Sequence, residues 1–290
     1  MSMAKNKFEL SDVTQKFDGV TLYRIRALRT IGAIKANDLG GWIEKESNLS
    51  QQDSSFAWVH DNARVYGNAK VYGNAQVFGN AKVYDNAKVY GNAKVYNNAK
   101  VYNNAKVYGN AEVFGNAKVN GDAQVFDSAE LYGNAKVYGN AQVYGNAKVY
   151  GNAVVNDKAQ VNGDAQVSGD AQVFGRAEVY GNAKVYGNAN LKCLVYGNAK
   201  VYDNAKVYGN AEVNGRAKVN GDAQVFGSAE VYGNAWVYDN AKVYGNAVVN
   251  GRAKVNGHKD IKENIGDIDM PTKSFMELIE NINNISSRRG

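Results

Sequence analysis

The sequence predicts an all-β protein built as a single-stranded parallel β-helix, and three observations support that fold class. A six-residue period, most often Val-Tyr-Gly-Asn-Ala-Lys, runs from Val59 to Ile261. The first position of each unit is almost always Val and the fifth almost always Ala, whereas the third and fourth are mostly Gly-Asn. The 290 residues include 31 Gly and one Pro, and Leu is scarce, which excludes a Leu-rich helical core for most of the chain.

Each unit is expected to contribute one short strand and one tight corner. Between corners the chain reads Ala-Lys-Val-Tyr, so Ala and Val alternate with Lys and Tyr on the two sides of a strand. Val and Ala should face inward, and Gly-Asn should form the corner because Gly and Asn accept a positive φ. Three units close a triangular coil, so the 35 units predict a hexapeptide solenoid of about 11–12 coils, ~50–55 Å long.

Two stretches of sequence resemble known families. The repeat, aliphatic at position one and small at position five, resembles the hexapeptide repeat of left-handed parallel β-helices over about 200 residues. Upstream, Gly40-Gly41-Trp42, Leu49 to Gln52 and Trp58-Val59 resemble the segment before the repeats in YdcK-like proteins of bacteria and phages. The resemblance implies left-handed winding and, because such proteins are often labelled acyltransferase-like, acyl transfer as an alternative function.

The period divides the chain into three expected parts, which are residues 1–57, 58–262 and 263–290. The first should be a small β-rich N-terminal cap, because an open solenoid end exposes unpaired backbone and Val side chains. Within it, residues 20–28 and 32–35 are expected to be strands, and residues 38–41 a turn.

The last part is expected to contain an amphipathic C-terminal helix after Pro271. Phe275, Leu278, Ile279 and Ile282 would lie on one face of that helix. It would serve either as a lid over the last coil or as a handle for homo-oligomerisation, and the sequence does not separate these two roles.

One coil is expected to be irregular, because Val185 and Val195 are ten residues apart instead of six. Counted by the period, Leu191 begins an extra unit in this interval. Cys193, the single cysteine, lies here and is expected to be a half-buried apolar thiol. One cysteine excludes a disulfide framework.

The composition also bounds location and chemistry. No run approaches ~18 apolar residues, and residues 1–10 are too polar for the core of a signal peptide, so a soluble cytoplasmic protein without a membrane partner is expected. The net charge of +6 is too mild to argue for nucleic acid by itself. We expect no cofactor and no metal site.

Catalysis is disfavoured because the chain has only two histidines, His60 and His258. They flank the solenoid about 50 Å apart and cannot share a site within one chain. His60 occupies an outward position and is expected to be a plain substitution. The alternative is a hexapeptide-type acyltransferase in which His60 acts as general base at a trimer boundary.

The outer surface offers the best candidate site, because the second position is aromatic in 24 units. Grouping the sixth positions by face places five cations in one column, with tyrosines alongside. This strip, predicted to bind a partner, consists of Arg64, Lys82, Lys100, Lys118 and Lys136 with Tyr66, Tyr84, Tyr102 and Tyr138. A second face carries Lys70, Lys88 and Lys106, and the third turns acidic at Glu112 and Glu130.

The sequence leaves two interpretations of the strip open: a binding surface, or a by-product of repeat expansion. We expect a non-enzymatic binding or scaffold protein that contacts a protein or polyanionic partner, single-stranded nucleic acid included. A narrower version is a phage or mobile-element inhibitor that occupies a nucleic-acid groove of a host defence complex.

Overall fold

The computed structural model describes residues 6–187 and 193–266, and all but one turn of its regular structure is β-strand. The prediction of an all-β parallel solenoid is confirmed, and the chain winds through about 12 coils. Within the described residues, no helix is long and apolar enough to cross a membrane. The predicted C-terminal helix lies outside the described residues.

The N-terminal segment forms three strands, β1 (Phe8–Phe17), β2 (Val20–Ala27) and β3 (Leu39–Ile43), followed by a 3₁₀ turn at Glu46–Asn48. The solenoid strands are two or three residues long and recur every six residues except between β25 and β26. They are β4 (Trp58–Val59), β5 (Arg64–Val65), β6 (Lys70–Val71), β7 (Gln76–Val77), β8 (Lys82–Val83), β9 (Lys88–Val89), β10 (Lys94–Val95), β11 (Lys100–Val101), β12 (Lys106–Val107), β13 (Glu112–Val113), β14 (Lys118–Val119), β15 (Gln124–Val125), β16 (Glu130–Leu131), β17 (Lys136–Val137), β18 (Gln142–Val143), β19 (Lys148–Val149), β20 (Val154–Val155), β21 (Gln160–Val161), β22 (Gln166–Ser168), β23 (Gln172–Val173), β24 (Glu178–Val179), β25 (Lys184–Tyr186), β26 (Leu194–Val195), β27 (Lys200–Val201), β28 (Lys206–Tyr208), β29 (Glu212–Val213), β30 (Lys218–Val219), β31 (Gln224–Val225), β32 (Glu230–Val231), β33 (Trp236–Val237), β34 (Lys242–Val243), β35 (Val248–Val249), β36 (Lys254–Val255) and β37 (Asp260–Ile261).

Every third strand belongs to the same parallel sheet, so the solenoid has three faces. Face A contains β5, β8 and every third strand to β35; face B runs from β6 to β36, and face C from β4 to β37. The register is in step throughout, with Val101 of face A opposite Val83 and Val119. Backbone N–H groups donate to the next coil, as from Tyr84 to the Val101 carbonyl at 3.0 Å.

The inward prediction for positions one and five is confirmed. In the repeats from β5 to β35, the described valines and alanines at these positions are fully buried. Tyr and Lys lie on the outer side, where most tyrosines are half-buried because they stack on one another. At the corners, position three has a positive φ, as at Gly91 (φ 69°) and Asp85 (φ 58°). A Cβ at Gly91 would lie 2.9 Å from the Gly109 nitrogen, so glycine also permits close stacking of the corners.

The N-terminal segment covers the first coil, as expected of a cap. Strand β3 pairs with β5 in parallel, and β2 and β1 then extend face A in antiparallel pairing. Phe8 packs edge-on against the buried ring of Trp58, with centroids 6.3 Å apart. The buried Lys7 ammonium donates to the Ala57 carbonyl at 3.0 Å, and burial, followed by the Arg29 charge, lowers its pKa to about 8.

Two local predictions for the cap were wrong. The expected turn at 38–41 is largely strand β3, because Gly40 and Gly41 allow this strand to approach the first coil closely: a Cβ on Gly40 would lie 2.6 Å from the Val59 carbonyl oxygen. The expected strand at 32–35 is a turn that holds one isolated bridge, Ile31 to Ile34. The expected strand at 20–28 is confirmed as β2.

The irregular coil is confirmed, but it adds no face. Val185 lies on face C and Val195 on the next face, face A, so the ten-residue interval connects two successive faces, as a six-residue step does elsewhere. The solenoid therefore has 34 strands, one fewer than the number of units counted along the sequence. Cys193 is fully buried at a position that Ala fills elsewhere, not half-buried as expected, and its burial raises the pKa of the thiol.

Candidate functional site

The five predicted cations do form a single column on face A. Strands β5, β8, β11, β14 and β17 are consecutive in the sheet, and their first residues are direct register partners. The side chains point outward because the following Val of each strand is buried. We call this set the basic column; it consists of Arg64, Lys82, Lys100, Lys118 and Lys136.

The basic column forms no ion pair within the described part of the chain, although the Asp18 charge acts on Lys82. Among the described residues, no carboxylate lies within 4.0 Å of any of its five cations. Burial, and then the charges of Lys100 and Arg64, lower the pKa of Lys82. Face C differs, because there Lys94 contacts Glu112 at 2.9 Å and Lys148 contacts Glu130 at 3.0 Å.

The predicted tyrosines lie beside this column, and three of them form a stack. Tyr66, Tyr84 and Tyr102 are nearly parallel, with centroid distances of 5.1 and 5.0 Å. Asn120 ends the stack and donates to the Tyr102 hydroxyl at 2.9 Å. Tyr138, on the far side of Asn120, is 37% exposed. Faces B and C each carry a longer stack of five rings, from Tyr72 to Tyr144 and from Phe78 to Tyr150.

Sequence reasoning missed the tip of the β1–β2 hairpin, which covers the upper end of the strip. The Phe17 ring lies 4.5 Å from the Arg64 guanidinium carbon and 4.3 Å from the Lys82 ammonium nitrogen. Asp18 accepts a hydrogen bond from the Tyr66 hydroxyl at 3.2 Å. Aromatic rings attract cations through their faces, so these two cations already have an intramolecular contact.

The hairpin itself could have been predicted from sequence, since Asp18-Gly19 is a strong turn signal before a strand. The docking position of its tip could not be predicted, because it depends on contacts between residues about 50 positions apart. The part of the strip beyond the tip consists of Lys100, Lys118 and Lys136, with Tyr102 and Tyr138.

The histidines lie far apart in the fold, in the first and last coils. His60 Nε2 lies 2.6 Å from Gln76 Oε1, and its ring packs edge-on against Phe78 at 6.2 Å. His60 thus lies at the top of the aromatic column of face C, and its contacts with Phe78 and Gln76 are packing contacts. His258 follows Gly257 at an exposed corner.

The corner Asn and Asp residues of successive coils form hydrogen-bonded ladders. In one of them the Nδ2 of Asn80 donates to Asn98, and so on through Asn116, Asn134 and Asn152 to Asp170. Asp accepts but does not donate, so it ends the ladder. No group of three or more potential metal ligands occurs in residues 6–187 and 193–266.

Comparison with known sequences agrees with the repeat architecture. Residues 63–79 and 141–155 match the family model described as the YdcK beta solenoid repeat. No curated protein sequence matches the chain. The family match, together with the parallel solenoid of about 12 coils, makes this chain a YdcK-like β-solenoid repeat protein.

Proposed function

We propose that this protein is a non-enzymatic binding protein that holds an anionic partner, a protein surface or a polyanion, against face A. The observation that carries the proposal is the run of five cations without a carboxylate partner, the longest such run on any face of the described solenoid, of which Lys100, Lys118 and Lys136 lie beyond the hairpin tip. These cations are spaced ~4.8 Å apart along the sheet, where like charges repel. An anionic partner would remove that repulsion.

The aromatic side chains support the proposal. Tyr102 and Tyr138 flank the cations and offer rigid contact area with little conformational entropy to lose. The narrower version, an inhibitor seated in a nucleic-acid groove, is not part of the proposal. Such grooves are themselves positively charged, so a basic strip would be repelled.

The proposal is tested by binding to two labelled probes, poly-glutamate and single-stranded oligo-dT, measured by fluorescence anisotropy. The double variant Lys100→Glu/Lys118→Glu should bind at least roughly tenfold more weakly. The matched control is Lys88→Glu/Lys106→Glu on face B, which changes the same charges in adjacent coils and should leave affinity within about twofold. Lys94 is a poor control, because its reversal would also break its ion pair with Glu112.

Salt and the control decide the result. Affinity should fall steeply as salt rises from ~50 to ~200 mM, because counterions and screening oppose such contacts. Equal losses in the two double variants, or no binding of either probe by the monomeric protein, would contradict the proposal.

Acyl transfer is tested separately with acetyl coenzyme A and amine acceptors. The wild-type protein should show no transfer, because among the described residues no second catalytic group accompanies His60. Turnover that disappears in His60→Ala would establish the acyltransferase alternative. We also propose that the solenoid winds left-handed, as the family resemblance implies. A crystal structure would show the hand directly.

A further inference from the structure

Face A changes character along the solenoid. After the basic column, the outward sixth positions are Val154, Gln172 and Leu194, and then Glu212 and Glu230. The face is therefore basic in its first half, largely apolar at its centre and acidic in its second half.

The acidic end is as unneutralised as the basic end. Glu212 and Glu230 are register partners on β29 and β32, and no Lys or Arg of the described residues lies within 4.0 Å of either carboxylate. The Tyr196 hydroxyl donates to Glu212 at 3.3 Å. Burial, and then the charge of Glu230, raise the pKa of Glu212.

Apolar groups occupy the centre of the same face. Val154 and Leu194 are half-buried and point outward, and beside them Phe174 and Tyr196 stack with centroids 4.8 Å apart. An apolar centre between charged ends is the composition of a protein interface.

The corner between faces A and B carries the opposite distribution of charge. Asp85 and Asp122 lie in its first half, whereas Arg176, Arg216 and Arg252 lie in its second half, and all five residues are exposed. Asp157 and Lys158 lie together at its middle. None of these groups forms an ion pair with another of the described residues.

We infer that face A is an interface between two copies of this chain, packed face to face and antiparallel. The inference rests on the proposed function, and it names the anionic partner of the basic column as the acidic half of a second copy. A two-fold axis perpendicular to the solenoid places column against column and the A–B corner against the same corner. Basic and acidic halves then face each other twice.

One register pairs more of these charges than its neighbours do, although it sets Lys136 opposite Leu194. With the axis between β20 and β23, Lys100 lies opposite Glu230, and Lys118 opposite Glu212, of the second copy. The same register sets Asp122 opposite Arg216 and Asp85 opposite Arg252. A shift of one coil would instead place Asp122 opposite Asn198 or Asn234, so this register pairs the most charges.

The size of the face and the position of the cap fit this arrangement. The rows from Lys100 to Glu230 extend over roughly 40 Å and about 15 Å in width, so the pair would bury about 1,200 Å², the lower end of specific interfaces. Phe17 and Asp18 lie over the first two rows of face A, at the outer ends of this contact.

A charge-swap experiment tests the inference by sedimentation velocity on the full-length chain at low salt. The wild-type protein should form a species of twice the 31.4-kDa chain mass. Lys100→Glu/Lys118→Glu and Glu212→Lys/Glu230→Lys should each weaken dimerisation by roughly a hundredfold, since reversal brings like charges together at four contacts. An equimolar mixture of the two variants should dimerise like the wild type.

The controls separate surface, register and folding. Lys88→Glu/Lys106→Glu on face B should dimerise within about twofold of the wild type, and thermal melts should show that every variant is folded. Asp122→Arg and Arg216→Asp should each weaken dimerisation by about fivefold, and their combination should restore it.

Three results would overturn the inference: a wild-type monomer at ~100 µM chain, a dimer insensitive to the reversals on face A, or a mixture that fails to recover. If poly-glutamate still binds through Lys100 and Lys118 in a monomeric wild-type protein, only the inference fails. If neither poly-glutamate nor oligo-dT binds and the protein is monomeric, the proposed function fails with it.

Discussion

Faces A and C are built from the same repeat in the same coils, yet they arrange charge in opposite ways. On face C the sixth positions mix signs, and Lys94 and Lys148 each pair with a glutamate one coil away. On face A five cations follow one another, and the two glutamates lie more than three coils further along. The fold permits both arrangements, because both faces share the inward Val and Ala side chains that form the core.

The different charge patterns of faces A and C argue against the interpretation of the basic column as a by-product of repeat expansion. Copying of a Lys-containing unit would place Lys at the sixth position throughout, but face A switches to Val154, Leu194, Glu212 and Glu230 in its second half. On face C, Lys occurs in both halves, as at Lys94 and Lys206. Segregation of charge on one face is therefore a property of that face and not of the repeat.

The largest expected effect concerns the core, which both faces share. Val101→Asp on face A and Val95→Asp on face C should each destabilise the protein by about 3–5 kcal/mol, because each buries an unpaired carboxylate among fully buried Val and Ala side chains. Thermal or urea denaturation measures the loss. The two variants should be equivalent despite the different outer surfaces.

Tyr102→Ser is the control for this prediction, since it removes an outward ring next to Val101. It loses a stacking contact with Tyr84 and a hydrogen bond from Asn120, and should cost about 1 kcal/mol. Similar losses from Val101→Asp and Tyr102→Ser would refute the inward and outward assignment.

A smaller effect is expected from alkaline pH, which should act on both faces alike. Burial raises the pKa of Tyr84 on face A and of Tyr96 on face C to about 12; neighbouring charges add to this at Tyr84, and the hydrogen bond to Glu112 adds to it at Tyr96. A phenol whose folded pKa exceeds its ordinary value near 10 contributes stability that is complete below pH 10. That stability is lost as pH rises from 10 towards 12.

Melting temperatures measured from pH 8 to pH 12 test this expectation. The wild-type protein should lose stability above pH 10, and Tyr84→Phe/Tyr96→Phe should lose less over the same range, because a phenyl ring does not ionise. Identical pH profiles for the two proteins would show that these tyrosines do not govern alkaline stability.

The solenoid could be predicted from sequence because its determinants are local and repeated. A Val, an Ala and a Gly-Asn corner every six residues specify strand, core and turn together, so even the register of the basic column followed from counting. The interval between Val185 and Val195 could not be assigned by counting alone, because Leu191 matched position one of a further unit. Only the pairing of Val195 with Val173 shows that no face is added.

The cap was less predictable because its strands have no period. Gly40 and Gly41 signal either a turn or close packing of a strand, and only the contact with the first coil decides between them. The exposed extent of the strip depended on Phe17 and Asp18, whose docking on Arg64 and Tyr66 is a long-range contact. Position in a repeat thus predicts which side chains share a face, but not what covers them.

The smallest expected effect compares single charges on the two faces. Lys118→Gln removes a cation between Lys100 and Lys136 and should stabilise the dilute, monomeric chain by ~0.2–1 kcal/mol, because repulsion in the column falls. Lys148→Gln removes one partner of the ion pair with Glu130 and should destabilise by a similar amount, since both groups remain partly exposed to solvent. Denaturant titrations at low salt measure whether each substitution raises or lowers the free energy of unfolding.

Salt and protein concentration separate the causes of these shifts. The stability changes of Lys118→Gln and Lys148→Gln should both shrink towards zero at ~1 M salt, where the Debye length is about 3 Å. At high protein concentration the gain from Lys118→Gln should reverse to a loss, because the dimer inferred above would lose the contact of Lys118 with Glu212 of the second copy. A loss of stability from Lys118→Gln in the dilute monomer would mean that the basic column is neutralised within one chain, and its difference from face C would then carry no argument for a partner.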